Sequence, residues 1–369
     1  MNSYATSTPV GHNMVADVTV VGTGIIALTA AIEIADRGFG VRVVGTTHSG
    51  NSSSAAGGML APSIGRESGS AHDFAVASRD RYPGFVAALS ERSGLTIPLN
   101  TDGILEVALS EPEAEAAQRS IDRPSRWMTP KEVAIEEPSL GESFGALFHP
   151  LDGCVEPLRL LDALSAVIAA HDGITTARED CCELHVSPLG CNVVTSMESR
   201  FASEYVVLAA GVWTPLIVGA GSAVECVQPV RGQMIAFDSA PLRHVACGAG
   251  GYLIPRSDGF TVAGGTMEHA GFNAVTTPDA IAMIRSRAEV LCPALATADV
   301  HSSWAGLRPV TPDLLPVIGA DPERSRVIYA CGHSRNGILL APLTAEAVAD
   351  IISGVPSRHD LTRFRPGRY

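Results

Sequence analysis

The stretch that most constrains this chain is a glycine-rich turn between a short apolar run and a helix-forming run. Val18–Val21 favours a strand, and Gly22-Thr-Gly-Ile-Ile-Ala27 then follows the G-x-G-x-x-A pattern. An Ala/Ile/Leu-rich run continues to Gly38, and a second strand-like run covers Val41–Val44. This order of strand, turn, helix and strand is typical of a unit that binds a dinucleotide. The first two glycines permit the tight turn and the close approach of a pyrophosphate, and the alanine keeps helix and strand together.

One residue expected in such a unit is missing. In dinucleotide-binding units an acidic residue near the end of the second strand binds the ribose hydroxyls. Here that position holds Gly45, followed by Thr46-Thr47-His48. Another group would then have to bind the ribose, for example a threonine hydroxyl or the backbone.

The composition indicates a globular, acidic chain. It has 369 residues, of which 46% are hydrophobic and 18% charged, enough for one large domain or two closely packed ones. With 26 basic and 39 acidic residues and no basic run, nucleic acid and anionic membranes are not expected partners. No run approaches the roughly 20 apolar residues of a membrane span, and the polar N-terminal segment lacks a signal-peptide core. We therefore expect a soluble, cytoplasmic protein.

The residues that most often bind metals are scattered. Neither C-x-x-C nor H-E-x-x-H occurs among the 8 cysteines and 11 histidines, so the sequence predicts no metal site. Most of the cysteines lie in apolar strings, as reduced cytosolic cysteines do.

A tract of small residues covers Gly50–Pro62 and is rich in Gly, Ser and Ala. Such tracts are usually flexible linkers. This one passes directly into the apolar run Met59–Ala61, and small residues allow a backbone to lie against a flat ring or a diphosphate. We therefore interpret it as part of the nucleotide site.

Elsewhere the hydrophobic periodicity predicts a mixture of helices and strands. Helices are predicted over residues 71–95, 111–120, 157–170, 278–291 and 343–352. Strands are predicted over residues 103–109, 181–186, 191–195, 204–209, 227–237, 251–255, 260–266 and 327–332. The region 127–140 is interpreted as a loop with a short helix beginning at Thr129-Pro130, and 147–157 as a turn-rich connection.

In order along nearly its whole length, the chain resembles the glycine oxidases of the D-amino acid oxidase superfamily. The main matching segments are Val20–Ala27, Ser52–Pro62, Ala209–Trp213, Trp304–Gly319 and Gly332–Pro342, with Tyr252–Arg256 and Gly264–Glu268 in support. The resemblance implies an α/β fold in which an FAD-binding, Rossmann-like domain of the glutathione reductase type is interleaved with an α+β substrate domain built on a mixed sheet. The FAD-binding domain would comprise residues 14–80, 153–228 and 303–369, and the substrate domain residues 81–152 and 229–302.

The resemblance also implies which residues contact FAD. They are Gly22, Gly24, Ile25, Ile26, Gly45, Thr46, Ser52, Ser53, Ala56, Gly57, Gly58, Met59, Cys182, Ala210, Gly211, Trp213, Arg335, Asn336, Gly337 and Ile338. The segment Ala56–Met59 would lie along the flavin, Ser52 and Ser53 near the diphosphate, and the backbone of Cys182 at the adenine.

The loop 335–339 would contact the pyrimidine edge of the flavin. There, N–H donors and a helix dipole would favour the negative charge that reduction deposits. In the related sarcosine oxidases a cysteine before a Thr-Pro-Asp step attaches the flavin covalently. Because the run Arg308–Asp313 contains no cysteine, the resemblance implies non-covalent FAD.

Arg308, Tyr252 and Arg335 are the candidate residues for binding and orienting a substrate. Arg308 precedes a proline, which favours an extended backbone, and a guanidinium suits a planar carboxylate. A salt bridge between Arg308 and Asp313 is the alternative. Tyr252 would donate to the same carboxylate or serve as a core aromatic residue, and Arg335 would contact substrate or flavin.

The implied activity is that of an FAD-dependent amine or amino acid oxidase acting on glycine or an N-substituted glycine. Hydride transfer from Cα to flavin N5 would give an imine, and water would hydrolyse it to glyoxylate plus ammonia or an amine. Dioxygen would then be reduced to hydrogen peroxide. The partners would be a small amino acid and dioxygen. Whether the protein forms a homo-oligomer stays open.

Other functions stay open on the same residues. The substrate could instead be an N-carboxymethyl amino acid of a natural-product pathway, sarcosine or a D-amino acid. A dehydrogenase would pass the electrons to a quinone or a carrier protein. A non-catalytic flavoprotein or binding module is favoured only by Gly45.

Overall fold

The computed structural model describes residues 16–65, 68–122 and 124–369. Residues 1–15 of the polar N-terminal segment, and with them the first two residues of the expected FAD-binding domain, lie outside this part of the chain. Within it, no helix is long and apolar enough to cross a membrane. Nor does this part bring three or more His, Cys, Asp or Glu side chains together in a group that could hold a metal ion.

Nineteen strands form in the described residues, and they are numbered in chain order. They are β1 Ala16–Val21, β2 Val41–Val44, β3 Met59–Leu60, β4 Leu99–Asn100, β5 Ile104–Ala108, β6 Arg126–Met128, β7 Gly145–His149, β8 Gly153–Val155, β9 Ile174–Ala177, β10 Cys181–Ser187, β11 Gly190–Thr195, β12 Arg200–Leu208, β13 Gln228–Phe237, β14 Val245–Gly248, β15 Gly251–Pro255, β16 Thr261–Gly264, β17 Val300–Val310, β18 Val317–Ala320 and β19 Val327–Cys331.

The same residues form α-helices and short 3-10 helices. The α-helices are α1 Ile25–Asp36, α2 Ser52–Ala55, α3 Pro62–Gly65, α4 Ser70–Ser93, α5 Glu111–Arg119, α6 Pro130–Glu136, α7 Pro157–Ala170, α8 Pro278–Leu291 and α9 Gly337–Ser353. The 3-10 helices cover Gly211–Leu216, Ser222–Val224, Pro293–Thr297 and Thr362–Phe364.

The first large sheet contains the strand–turn–helix–strand unit at the start of the chain. Its strand order is β10-β11-β12-β1-β2-β9, and β19 pairs with both β12 and β18. β1 lies parallel to β2 and β12, and β19 lies parallel to β12. The central strands are apolar and buried along most of their length, as expected for parallel strands covered by helices on both faces. The carboxyl ends of β1, β2, β12 and β19 therefore meet at one edge of the sheet.

Helix α9, near the end of the chain, packs beside helix α1. Arg37 Nη1 lies 2.7 Å from Asp350 Oδ1, an ion pair that spans 313 residues of sequence. The two helices belong to one apolar cluster that also includes α4 and α7. The two ends of the described chain therefore form one half of the molecule together.

The second large sheet is mixed and has the order β17-β13-β16-β15-β14-β5-β7-β6. β14 and β5 are parallel, whereas the other neighbouring pairs are antiparallel. A three-stranded sheet, β3-β8-β4, is formed by short strands. β17 runs across residue 303, where the sequence analysis places a domain boundary, and the boundaries stay a prediction.

Several short elements differ from the sequence-based expectations. β6 overlaps the predicted loop, β7 and β8 overlap the predicted turn-rich connection, and β3, β4, β9, β14, β17 and β18 were not predicted. Most of these strands are short, and their hydrogen-bond partners are distant in sequence, as where β9 pairs with β2. Local patterns are weak for such strands, because pairing with distant neighbours stabilises them.

Helix α9 begins at Gly337, six residues before its predicted start, and contains Pro342. Because proline has no N–H, the Ile338 carbonyl lacks its helical donor. The buried hydroxyl of Tyr82 in α4 donates to this carbonyl, and Ser78 Oγ donates to the next carbonyl, that of Leu339, at 2.7 Å. The neighbouring helix thus supplies the hydrogen bond that the proline removes, which is why the helix continues through it.

We predict that Tyr82→Phe lowers the free energy of unfolding by about 1–3 kcal/mol, because it leaves the Ile338 carbonyl buried without a donor. Urea unfolding measures the change. In a Pro342→Ala background the restored N–H can donate to the same carbonyl, so the cost of Tyr82→Phe should be smaller there. An equal cost in both backgrounds would contradict this role of the tyrosine.

Candidate active site

One cavity of about 890 Å³ is lined by residues from both large sheets. The residues predicted from sequence to bind FAD or substrate lie on its wall, except Leu339 at the end of the loop 335–339, which is buried. These are the glycine turn 22–26, Gly45, Thr46, Ser52, Ser53, Ala56, Gly57, Gly58, Met59, Cys182, Ala210, Gly211, Trp213, Tyr252, Arg308 and the loop 335–338. The structure thus brings distant segments to one place, and the individual roles of these residues stay predictions.

The glycine turn lies where β1 and β12 end side by side. Gly22 has φ +130°, and a Cβ added there would lie 2.4 Å from the Ala209 carbonyl oxygen. Ala209 N donates to the Val21 carbonyl at 2.9 Å and fixes this approach. Only glycine fits this position, both sterically and in backbone conformation.

Two helix N-termini reach the cavity wall. Helix α1 begins after Gly24 and α9 after Asn336, and neither residue caps its helix with a side-chain hydrogen bond. Ser53 Oγ accepts from Ile25 N at 3.0 Å. The first N–H groups of a helix have no partner within the helix and carry partial positive charge. The cavity therefore has positive potential at two separate points.

The small-residue tract also packs closely against two strands, β15 and β8. A Cβ at Gly57 would lie 2.7 Å from Ile254 Cδ1, and one at Gly58 would lie 2.0 Å from the Val155 carbonyl oxygen. The tract backbone thus lies against neighbouring strands while it also lines the cavity. The small residues of this tract leave room for a flat ring, and the two helix N-termini favour a diphosphate. Both features fit FAD, which is an elongated anionic dinucleotide.

Arg308 is half-buried on β17, opposite Val230 of β13. Its Nη1 donates to the Thr266 carbonyl at 2.8 Å. Gly232 makes room for it, since a Cβ there would lie 2.1 Å from Arg308 Nη1. Asp313, its alternative partner, instead pairs with Arg368 at 2.9 Å. Among the residues that the structure describes, no acidic side chain forms an ion pair with Arg308.

Tyr252 lies beside Arg308. A Cβ at Gly265 would be 3.2 Å from the Tyr252 hydroxyl and 3.4 Å from Arg308 Nη2, so both donors border one glycine. Burial raises the pKa of Tyr252 above its ordinary value, and the guanidinium of Arg308 opposes that rise only in part. The hydroxyl therefore keeps its proton at neutral pH and can donate it in a hydrogen bond.

Two further polar cavity residues flank Ser334, whose N–H donates to the Pro309 carbonyl at 2.9 Å. Arg335 is exposed at the wall. His333 is buried, with Nε2 3.1 Å from Thr344 Oγ1, and burial lowers its pKa to about 3. Its ring is thus neutral at physiological pH, so it adds no charge to the cavity.

Further cavity residues had no predicted role. They include Ile64, Asp180, Gly232, Cys247, Thr266, Met267, Gly306 and Leu314. Two of them carry a signal that could have been used. Gly232 lies within a predicted strand, where a glycine often marks a close approach of another group. Asp180 is two residues before Cys182, whose backbone was expected at the adenine.

The parallel strands around the glycine turn, and the cavity between the two large sheets, are typical of a dinucleotide-binding enzyme. A family model described as FAD dependent oxidoreductase matches residues 17–351, and the chain belongs to this family. The predicted cofactor, FAD, is thereby confirmed. The prediction of an FAD-dependent enzyme of the amino acid oxidase type is also confirmed, by this family and by its glycine oxidase relatives.

Known glycine oxidases resemble the chain over most of its length. Glycine oxidase from Geobacillus kaustophilus (strain HTA426) is 32% identical over 366 residues, which cover 96% of this chain and 97% of that protein. The crystal structure of glycine oxidase from Geobacillus kaustophilus matches with a TM-score of 0.90 and 33% identity, covering 96% of this chain and 99% of that one. The predicted fold class and the family resemblance are thus confirmed.

A longer relative matches through only part of its length. The bifunctional protein ThiO/ThiG of Synechocystis sp. (strain ATCC 27184 / PCC 6803 / Kazusa) is 32% identical over 369 residues. The match covers 96% of this chain and 54% of that protein. The chain therefore spans about half the length of this relative.

We predict that Gly22→Ala reduces the FAD content of the purified protein severely. The added methyl group would overlap the Ala209 carbonyl. In addition, residue 22 has a backbone conformation that alanine disfavours. The ratio of flavin to protein absorbance measures the loss. Gly84→Ala in α4 is the matched control, since its methyl group would meet nothing within 4 Å. Full FAD content in the Gly22 variant would contradict the close approach.

Proposed function

We propose that the protein oxidises the Cα–N bond of glycine or an N-substituted glycine and releases glyoxylate with ammonia or an amine. The observation that carries this proposal is the pairing of the Arg308 guanidinium with the Tyr252 hydroxyl at the cavity wall. The similarity to glycine oxidases supports it. Dioxygen is the proposed electron acceptor, with hydrogen peroxide as its product.

Arg308 and Tyr252 bind the substrate carboxylate in this proposal. The guanidinium offers parallel N–H donors that match the two carboxylate oxygens, and the tyrosine hydroxyl adds a neutral donor. Because Arg308 Nη1 already donates to the Thr266 carbonyl, the guanidinium plane is held in place before substrate binds. A carboxylate bound to this fixed pair leaves the attached Cα with few orientations.

Bound FAD supplies the two-electron acceptor for this oxidation. The chain contributes the surroundings of that acceptor. The N-terminus of α9, with Asn336 and Gly337, carries partial positive charge at the cavity wall, where it favours negative charge on a bound ring.

A glycine with an apolar N-substituent is the second candidate substrate. Four cavity-lining residues are apolar and largely exposed, namely Leu216 at 60%, Val218 at 64%, Met267 at 68% and Leu314 at 50%. Met267 follows Thr266, whose carbonyl accepts from Arg308, so it borders the proposed carboxylate site. Exposed apolar groups at the edge of a cavity favour a ligand that covers them. Glycine itself has no group that could reach them.

The flavin absorbance of the purified protein, followed without oxygen, separates these substrates. Glycine, sarcosine, D-alanine and an N-carboxymethyl amino acid are each added, and the bleaching rate is compared. Bleaching by glycine supports a glycine oxidase, whereas bleaching by the N-carboxymethyl compound alone supports the second candidate. Bleaching by none of them would overturn the proposal. Peroxide formed on readmission of oxygen distinguishes an oxidase from a dehydrogenase.

We predict that Arg308→Met lowers kcat/KM for the accepted substrate by roughly 100-fold or more, since charge-assisted hydrogen bonds to the carboxylate are lost. FAD content should stay unchanged. Acetate, which carries only the carboxylate, should no longer perturb the flavin spectrum. Arg159→Met, at an exposed position on α7, is the matched control and should behave like the unaltered protein. An Arg308 variant that still responds to acetate would contradict the role.

A further inference from the structure

The second strand ends without an acidic residue, and we propose that Asp180 supplies the missing carboxylate and binds the adenosine ribose of FAD. Asp180 lies in the connection between β9 and β10, on a different segment from the one where such a residue is expected. This inference rests on the family's cofactor and not on the proposed substrate, so either can fail without the other.

The backbone brings this connection to the end of β2. β9 pairs in parallel with β2, and Val44 is in register with Ala177. Beyond the last pair, Gly45 N donates to the Ala177 carbonyl at 3.1 Å. Both strands therefore end together, and Asp180 follows within three residues. Gly45, Thr46 and Asp180 all line the cavity.

The Asp180 carboxylate is held by two side chains of the β2 edge. Its Oδ1 accepts from Thr46 Oγ1 at 2.5 Å and lies 3.1 Å from His48 Nε2. The side chain is 39% exposed. Its other oxygen, Oδ2, takes part in none of the hydrogen bonds found within the described part of the chain. One oxygen thus orients the group, and the other stays available to a ligand.

His48 is itself fixed in position. Its ring stacks on the indole of Trp213, with the ring centroids 4.6 Å apart and the planes 25° apart. Both rings line the cavity beside Asp180. His48 and Thr46 therefore act as positioning residues for the carboxylate.

The chemistry of a ribose suits this carboxylate. Its 2′ and 3′ hydroxyls are neighbouring donors, and an ionised carboxylate is an acceptor with two oxygens. A threonine hydroxyl and the backbone were the ribose ligands suggested by the sequence. The proton of the Thr46 hydroxyl is used on Asp180, and a neutral hydroxyl oxygen is a weaker acceptor than a carboxylate. Asp180 is therefore the better ligand at this edge.

Displacement of FAD from the holoenzyme tests the proposal without reference to activity. The protein is titrated with ADP and, separately, with 2′-deoxy-ADP, and free flavin is followed by its fluorescence. The unaltered protein should require about tenfold more of the deoxy compound, because one charge-assisted hydrogen bond is missing. In Asp180→Asn the two compounds should displace FAD at similar concentrations, and the FAD dissociation constant should rise about tenfold or more.

Two further variants keep the result interpretable. Asp172→Asn, an exposed aspartate in the turn before β9, should retain the preference for ADP. Thr46→Val keeps the carboxylate but removes one support, so the preference should fall only in part. The proposal is overturned if the unaltered protein does not distinguish the two compounds. It is equally overturned if Asp180→Asn retains the full preference, even with weaker FAD binding, since a merely structural aspartate would behave in that way.

Discussion

The rest of the structure depends on the close approach of two parallel strands at Gly22. The backbone there comes so near to the Ala209 carbonyl that no side chain fits, and the approach holds the carboxyl ends of β1 and β12 together. Helix α1 starts directly beyond it, so the first turn of this helix reaches the cavity. The β2 edge and the tract at Gly57 line the same cavity as this pair of strand ends.

The two large sheets make different contributions to the cavity. The first large sheet contributes helix N-termini and glycines, together with the Asp180 carboxylate at the proposed ribose site, and these groups suit a bound dinucleotide. The mixed sheet contributes side chains, since Tyr252 and Arg308 lie on β15 and β17. With the roles proposed for Tyr252 and Arg308, cofactor binding and substrate binding depend on different elements, so the two residues can change without disturbing the glycine turn.

The features that follow from local sequence were predictable, and those that depend on distant contacts were not. The unit from β1 to β2 has a turn whose glycines are required locally, and the predicted helix over 278–291 forms with those limits. By contrast, α9 was predicted to begin after Pro342. The helix continues through this proline because Tyr82, on another helix, supplies the missing hydrogen bond, and the local sequence does not show that contact. Asp180 was missed for a similar reason. The expected spacing places the acid on β2, whereas strand pairing brings it in from beyond β9.

The pairing of α1 with α9 has a consequence for how the protein is made. The nucleotide turn at Gly22 leaves the ribosome early, but the loop at Asn336 that completes the same cavity is synthesised more than 300 residues later. The ion pair between Arg37 and Asp350 can close only then. Until then, the face of α1 that packs on α9 has no partner in the nascent chain. The complete nucleotide cavity therefore cannot form before the loop at Asn336 has been synthesised.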